Sequence, residues 1–103
     1  MFSVKGKVAI ITGPSGGIGK GVALKFAAAG LDIYGVDYSD CTELKQEIEK
    51  TYGTRFEFMQ ADLTKTDAAL AEKIVSSAVE TYGRVDILIN NAGIARRCDA
   101  IVY

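Results

Sequence analysis

Short apolar runs alternate with stretches of helical periodicity along the chain, and glycine stands at most of the junctions. Residues 7–12 form a β-branched run that stops abruptly at glycines, which predicts strand one. Over 17–29 the spacing turns helical, with Ile18, Val22, Phe26 and Ala29 on one stripe and Gly30 where a C-terminal cap belongs. Strand two is predicted at 32–37. Asp40, with Glu43 three residues later, has the spacing of a capping box opening a second helix, which runs to Tyr52 and stops at Gly53. Strand three covers 55–60, helix three about 67–82 ahead of Gly83, and strand four 85–90.

Helices of this length between strands act as right-handed crossovers, so the expected fold class is α/β with a doubly wound parallel sheet. Strand three alternates, Phe56 and Phe58 against Arg55 and Glu57, as an edge strand with one wetter face does. Strands one and four are continuous apolar runs, the pattern of strands covered on both faces and flanked on both sides. An order of 3-2-1-4 satisfies strands three and one. It leaves strand four, written as an interior strand, at an edge, so the sheet is expected to be truncated and prone to self-association there.

Composition narrows the function. The 103 residues suffice for a single domain, 49% apolar and 24% charged, which is ordinary globular composition. A net charge of -1, from 12 basic and 13 acidic side chains, leaves no basic footprint for nucleic acid or an anionic membrane. The apolar run 8–11 is too short for a secretory core or a membrane span. Cys41 and Cys98 lie far apart without metal-ligand spacing, so no metal site is expected, and both are expected as reduced thiols of a cytoplasmic protein. There is no histidine, which excludes any mechanism that needs an imidazole.

The segment Thr12-Gly-Pro-Ser-Gly-Gly-Ile-Gly19 joins strand one to helix one. Glycines there let the backbone turn tightly and approach a ligand, and the helix start supplies free N–H groups with a partial positive charge, a fit for a pyrophosphate. The alternative is a glycine-rich turn with a structural role only. A P-loop fails because it would need glycine at Pro14 and a hydroxyl residue at Gly21; the G-x-G-x-x-G pattern fails at Val22. The spacing that matches is T-G-x-x-x-G-x-G, on Thr12, Gly13, Gly17 and Gly19.

That pattern resembles the short-chain dehydrogenase/reductase family. Asp62, in Ala61-Asp62-Leu63, stands at the end of strand three, where the family's aspartate contacts adenine. Asn90-Asn91-Ala92-Gly93 matches the family's N-N-A-G segment. The resemblance implies a truncated Rossmann-type sheet over residues 1–103, a single cofactor-binding domain without the catalytic half. It also implies cofactor contacts from Gly13, Ser15, Gly16, Gly17, Ile18, Gly19, Asp37, Asp62, Leu63, Asn90, Ala92 and Gly93.

Asp37 closes strand two, where a carboxylate accepts both ribose hydroxyl hydrogens of NAD. It would repel the 2′-phosphate of NADP by about 4 kcal/mol per pair of unit charges at 4 Å in a partly screened site, less once the phosphate finds solvent. No Arg or Lys stands at Pro14, Ser15, Gly16 or Tyr38 to receive that phosphate. The expected cofactor is NAD; an exposed strand-end aspartate without a ligand is the alternative.

The family's catalytic serine and Tyr-x-x-x-Lys are expected, and no such tyrosine occurs. Four places after Tyr34, Tyr38, Tyr52 and Tyr82 stand Tyr38, Thr42, Phe56 and Asp86, and Tyr103 is the last residue. No residue here is therefore assigned a catalytic role, and the chain alone is expected to be inactive, acting on a small-molecule substrate only if completed by the missing half. The segment from Gly93, Gly-Ile-Ala-Arg-Arg-Cys-Asp-Ala, is similar to the 2-deoxy-D-gluconate 3-dehydrogenase branch, which acts on sugar acids. Arg96 or Arg97 would orient a substrate carboxylate; two solvated arginines are the alternative. Three readings stay open: the NAD-binding part of a dehydrogenase, a stand-alone NAD-binding module, and one chain of a split enzyme. The stand-alone module requires a feature that blunts the strand-four edge, and none is evident in 95–103.

Overall fold

The computed structural model describes residues 4–65, 68–91 and 101–102. Strand β1 (Val8–Thr12) leads through the glycine loop into helix α1 (Gly17–Ala28), then β2 (Asp32–Asp37) and α2 (Thr42–Tyr52). After β3 (Phe56–Gln60) a single 3-10 turn (Leu63–Lys65) precedes α3 (Ala68–Tyr82), β4 (Ile87–Ile89) and β5 (Ile101–Val102). The five strands form one sheet in the order β3-β2-β1-β4-β5, with every pairing parallel.

The expected order 3-2-1-4 is present, and one more strand extends it. Ile87 pairs with Ile101 and Leu88 with Val102, so β4 is flanked on both sides over those residues and is not the open edge. Two residues carry no readable period, which is why this strand escaped the sequence pattern. The edge at which self-association was expected therefore lies at β5 rather than β4.

Alternate residues of the sheet feed two cores. On one face Ala9, Ile11, Ile33 and Phe56 pack with Ala23 and Ala27 of α1 and Leu44 and Ile48 of α2. On the other, Ile10, Tyr34, Val36 and Leu88 pack with Ile74 and Ala78 of α3. Every residue of β1 and β2 is buried, as central strands of a parallel sheet require, while β3 exposes Glu57 and Gln60 at the edge.

Two local expectations need correction. The buried stripe of α1 is Gly19, Ala23 and Ala27; Val22 and Phe26 flank it, Ala29 is exposed and Ile18 is 79% exposed. Small residues let the helix axis sit close against β1 and β2, so the larger apolar residues are pushed to the margins. Asp40 does not form a capping box: Cys41 is the N-cap of α2, and the Asp40 carboxylate accepts from the N–H and hydroxyl of Thr42, at 2.9 and 2.6 Å. The helix therefore starts one residue later than the box would place it, after an Asx turn. Gly30 does cap α1. With φ at +96° it lets its own N–H reach Ala27 O and the Leu31 N–H reach Phe26 O, the two bonds of a Schellman motif. Among the described residues no helix is long and apolar enough to cross a membrane.

Candidate functional site

Because all strands are parallel, the loops after β1, β2, β3 and β4 emerge at one end of the sheet. Thr12 pairs with Val36, Ile11 with Ile89 and Asp37 with Gln60, so these strand ends are level. The order changes direction between β1 and β4, which makes the crevice above them the expected ligand position in an open α/β sheet.

The glycine loop is packed tightly against that crevice. A Cβ on Gly19 would lie 2.0 Å from Gly13 O and 2.7 Å from Asn91 Nδ2, so only glycine fits. Asn91 Nδ2 donates to Gly13 O at 3.2 Å, and the Thr12 hydroxyl donates to Ile89 O at 3.4 Å, tying the loop after β1 to the end of β4. Helix α1 opens with Gly16 as N-cap, without a side-chain cap and without an acidic residue in its first turn. Its N–H groups and partial positive charge thus point into the crevice without a built-in anion. Asn90 Oδ1, at the end of β4, is buried without a hydrogen-bond partner among the described residues.

Asp37 is 8% exposed and carries a charge. Its Oδ2 accepts from the Ser15 N–H and its Oδ1 from the Ser39 N–H, both at 2.9 Å. Burial opposes ionisation, but hydrogen bonds from the Ser39 backbone, the Ser15 side chain and backbone and the Tyr38 backbone outweigh it. They hold the carboxyl below its usual range. Among the described residues no lysine or arginine pairs with it. Beside it opens a cleft of about 470 Å³ lined by Gly13, Asp37, Tyr38, Asp62, Leu63 and Thr64. The Asp62 carboxylate is oriented by the Thr64 N–H at 3.0 Å and hydroxyl at 2.6 Å.

The structure therefore brings Gly13, Asp37, Asp62 and Leu63 onto one cleft, with Ser15 bonded to Asp37 and Gly19 seated on Gly13. Gly16 and Gly17 face open space, and Ile18 projects outward from the first turn of α1. Asn90 stands at the far side of the crevice, beyond β1. Ala92, Gly93, Arg96 and Arg97 lie outside the described residues. Three contributors were not assigned from sequence: Tyr38, 75% exposed beside Asp37; Thr64, which orients Asp62; and Asn91, which ties down Gly13. The Asp-x-Thr spacing signals the second, while exposure at a strand end has no sequence signature.

A second hollow of about 400 Å³ lies between α1 and α2, with Ser15, Lys20, Cys41 and Glu47 on its walls. Lys20 and Glu47 face each other across it at 3.8 Å.

The family model for short chain dehydrogenases matches residues 7–101. The chain belongs to the short chain dehydrogenase family. It is 48% identical over 106 residues to 2-dehydro-3-deoxy-D-gluconate 5-dehydrogenase of Dickeya dadantii (strain 3937), covering 99% of this chain and 39% of that one. That name is of a sugar-acid dehydrogenase, the class to which the sequence resemblance pointed, with a different sugar acid and carbon. Among solved structures, L-sorbose reductase from Gluconobacter frateurii, complexed with NADPH and L-sorbose, superposes with a TM-score of 0.77 at 32% identity over 91% of this chain and 36% of that one. A short chain dehydrogenase from Mycobacterium paratuberculosis bound to NAD gives 0.75 at 28% identity, over 91% and 39%. The chain spans 36–39% of the length of these curated relatives.

Proposed function

We propose that this chain is the NAD-binding part of a dehydrogenase that acts on a sugar acid. The observation that carries the reading is Asp37, a buried carboxylate held charged by backbone N–H groups, with no ion-pair partner among the described residues, opening on a cleft. Ribose hydroxyls suit it as partners, whereas a 2′-phosphate would meet uncompensated negative charge. One neighbour is bound to NAD and another to NADPH, so both cofactors occur among its structural relatives and the choice rests with local residues.

The other residues fit a dinucleotide. The uncapped start of α1 and the loop folded over Gly19 would receive the pyrophosphate, through Gly13, Gly16, Gly17 and Ile18. Asp62 and Leu63 would flank the adenine, with Tyr38 offering a ring face. The orphaned Asn90 Oδ1 would find a donor on the nicotinamide side, together with Ala92 and Gly93. When bound, the nicotinamide supplies the hydride acceptor or donor; these residues bind and orient it. The sugar-acid substrate is supported by the relative's name and by Arg96-Arg97. A reducing cytoplasmic setting suits Cys41, a buried free thiol pushed up to about 11 by burial and by the charges of Asp37 and Asp40.

A second reading, nucleotide binding without catalysis, is favoured by one observation: β5 supplies the cover on β4 that such a module requires. Titration calorimetry with NAD and NADP tests the shared claim. We expect micromolar NAD binding and much weaker NADP binding; comparable affinities would overturn the cofactor choice. Turnover of NADH with a keto sugar acid by this chain alone would overturn its expected inactivity.

A further inference from the structure

Gly35 sits in the middle of β2, a place where glycine weakens a strand and where its backbone is not in the left-handed region. The reason for glycine is space. A Cβ there would lie 3.0 Å from Pro14 Cγ and 3.0 Å from Phe56 Cζ, so both rings would have to give by a few tenths of an ångström. Pro14 and Phe56 are both fully buried. The proline of the glycine loop is thus plugged into the gap that Gly35 leaves in the sheet.

The neighbours of Pro14 are bonded to the two residues that follow Gly35. The Gly13 N–H donates to Val36 O at 2.8 Å, and the Ser15 N–H donates to Asp37 Oδ2 at 2.9 Å. Residues 13–15 are therefore stitched onto 35–37 at three successive points: a backbone bond, a packed ring and a backbone–carboxylate bond. These contacts join the segment that would receive the pyrophosphate directly to the carboxylate that would receive the ribose.

We infer that Pro14 and Gly35 are positioning residues for cofactor selection: their fit sets the Ser15 N–H against Asp37 and so fixes the carboxylate that tells NAD from NADP. The inference rests on the nicotinamide cofactor reading and adds to it two residues that touch no ligand. A carboxylate free to swing would bond the ribose hydroxyls less well and would turn away from a 2′-phosphate, so loosening the stitch lowers NAD affinity and narrows the NAD/NADP ratio together.

The test is a double-mutant cycle on the full chain, with NAD and NADP affinities measured by calorimetry and unfolding temperature followed in parallel. G35A should weaken NAD binding about tenfold and bring the two cofactors closer, since a displacement of a few tenths of an ångström reaches the binding group directly. P14A, which removes Cγ, should cost about threefold by leaving the loop unplugged, and it guards against G35A failing to fold. In P14A/G35A the new Cβ occupies the space of the lost ring, and NAD affinity should return to within about threefold of wild type. A G35A chain that melts earlier yet binds NAD like wild type overturns the positioning role, as does a double variant no better than G35A. If no form of the chain binds NAD, wild type included, the cofactor reading itself falls and takes this role with it.

Discussion

Strand β2 carries an aspartate at each end, Asp32 and Asp37, and both are 8% exposed. At the N-terminal end Asp32 is closed off. Its Oδ1 accepts from the Arg55 N–H at 2.9 Å, and its Oδ2 takes Arg55 Nε at 3.1 Å and Nη2 at 2.6 Å. Arg55 in turn lies 4.8 Å over the ring of Tyr82, whose hydroxyl donates to Ile33 O at 2.7 Å. Nearby, Asp86 receives the Val8 N–H and is paired with Arg84. At the C-terminal end Asp37 has backbone N–H donors, no ion-pair partner among the described residues and a cleft in front of it. One end pairs its polar groups with each other, and the other leaves a charged group facing a cleft. The same residue type at the same exposure is closed off by an arginine in one place and open to a cleft in the other.

Substitutions can separate the two ends, and the largest effect belongs to the loop. Gly19→Ala puts a methyl group 2.0 Å from Gly13 O, so nucleotide binding should fall by roughly a hundredfold or more, about 2.7 kcal/mol, in calorimetry. Asp37→Asn offers one acceptor in place of two and removes the charge. NAD affinity should drop about tenfold while NADP affinity holds or rises, so the preference disappears. Asp32→Ala should do the reverse: stability falls by about 1–2 kcal/mol in urea or thermal unfolding, discounted for the exposed Arg55, while the NAD affinity of the folded chain stays within about twofold. A variant at Asp32 that loses binding without losing stability would break the division.

Acid supplies the mildest probe. Both Asp37 and Asp86 sit below the ordinary aspartate value of 3.8, Asp86 chiefly through its hydrogen bond from Arg84. A depressed carboxyl contributes stability that is complete above its unfolded value and is lost as pH falls through the folded one. The unfolding temperature should therefore be unaffected by these groups near neutrality and should decline below about pH 4. Asp37→Asn should shrink that acid decline, since it removes one of the depressed carboxyls. An identical acid profile would show that the Ser15 and Ser39 bonds to Asp37 contribute no stability.

The layout of the sheet was legible because β1 and β4 read as continuous apolar runs, and crossovers leave one parallel order. The loop was legible because Gly19 tolerates nothing else, and T-G-x-x-x-G-x-G records that fact. Other features were hidden for physical reasons. The buried stripe of α1 consists of Gly19, Ala23 and Ala27, and close approach of a helix selects small residues that carry little hydrophobic signal. The Asp32–Arg55 pair joins positions 23 residues apart, and only the β2–β3 register brings them together. Gly35 looks like a weak strand residue until Pro14 is seen above it. Local rules find elements and turns; contacts between elements decide what each buried polar group is for.

The most direct test of the central claim is the ratio of NAD to NADP affinity, measured for the wild-type chain and Asp37→Asn side by side. The account predicts a wild-type preference for NAD of at least about tenfold that vanishes in the variant. Equal affinities in the wild type, or a preference that survives Asp37→Asn, would contradict it.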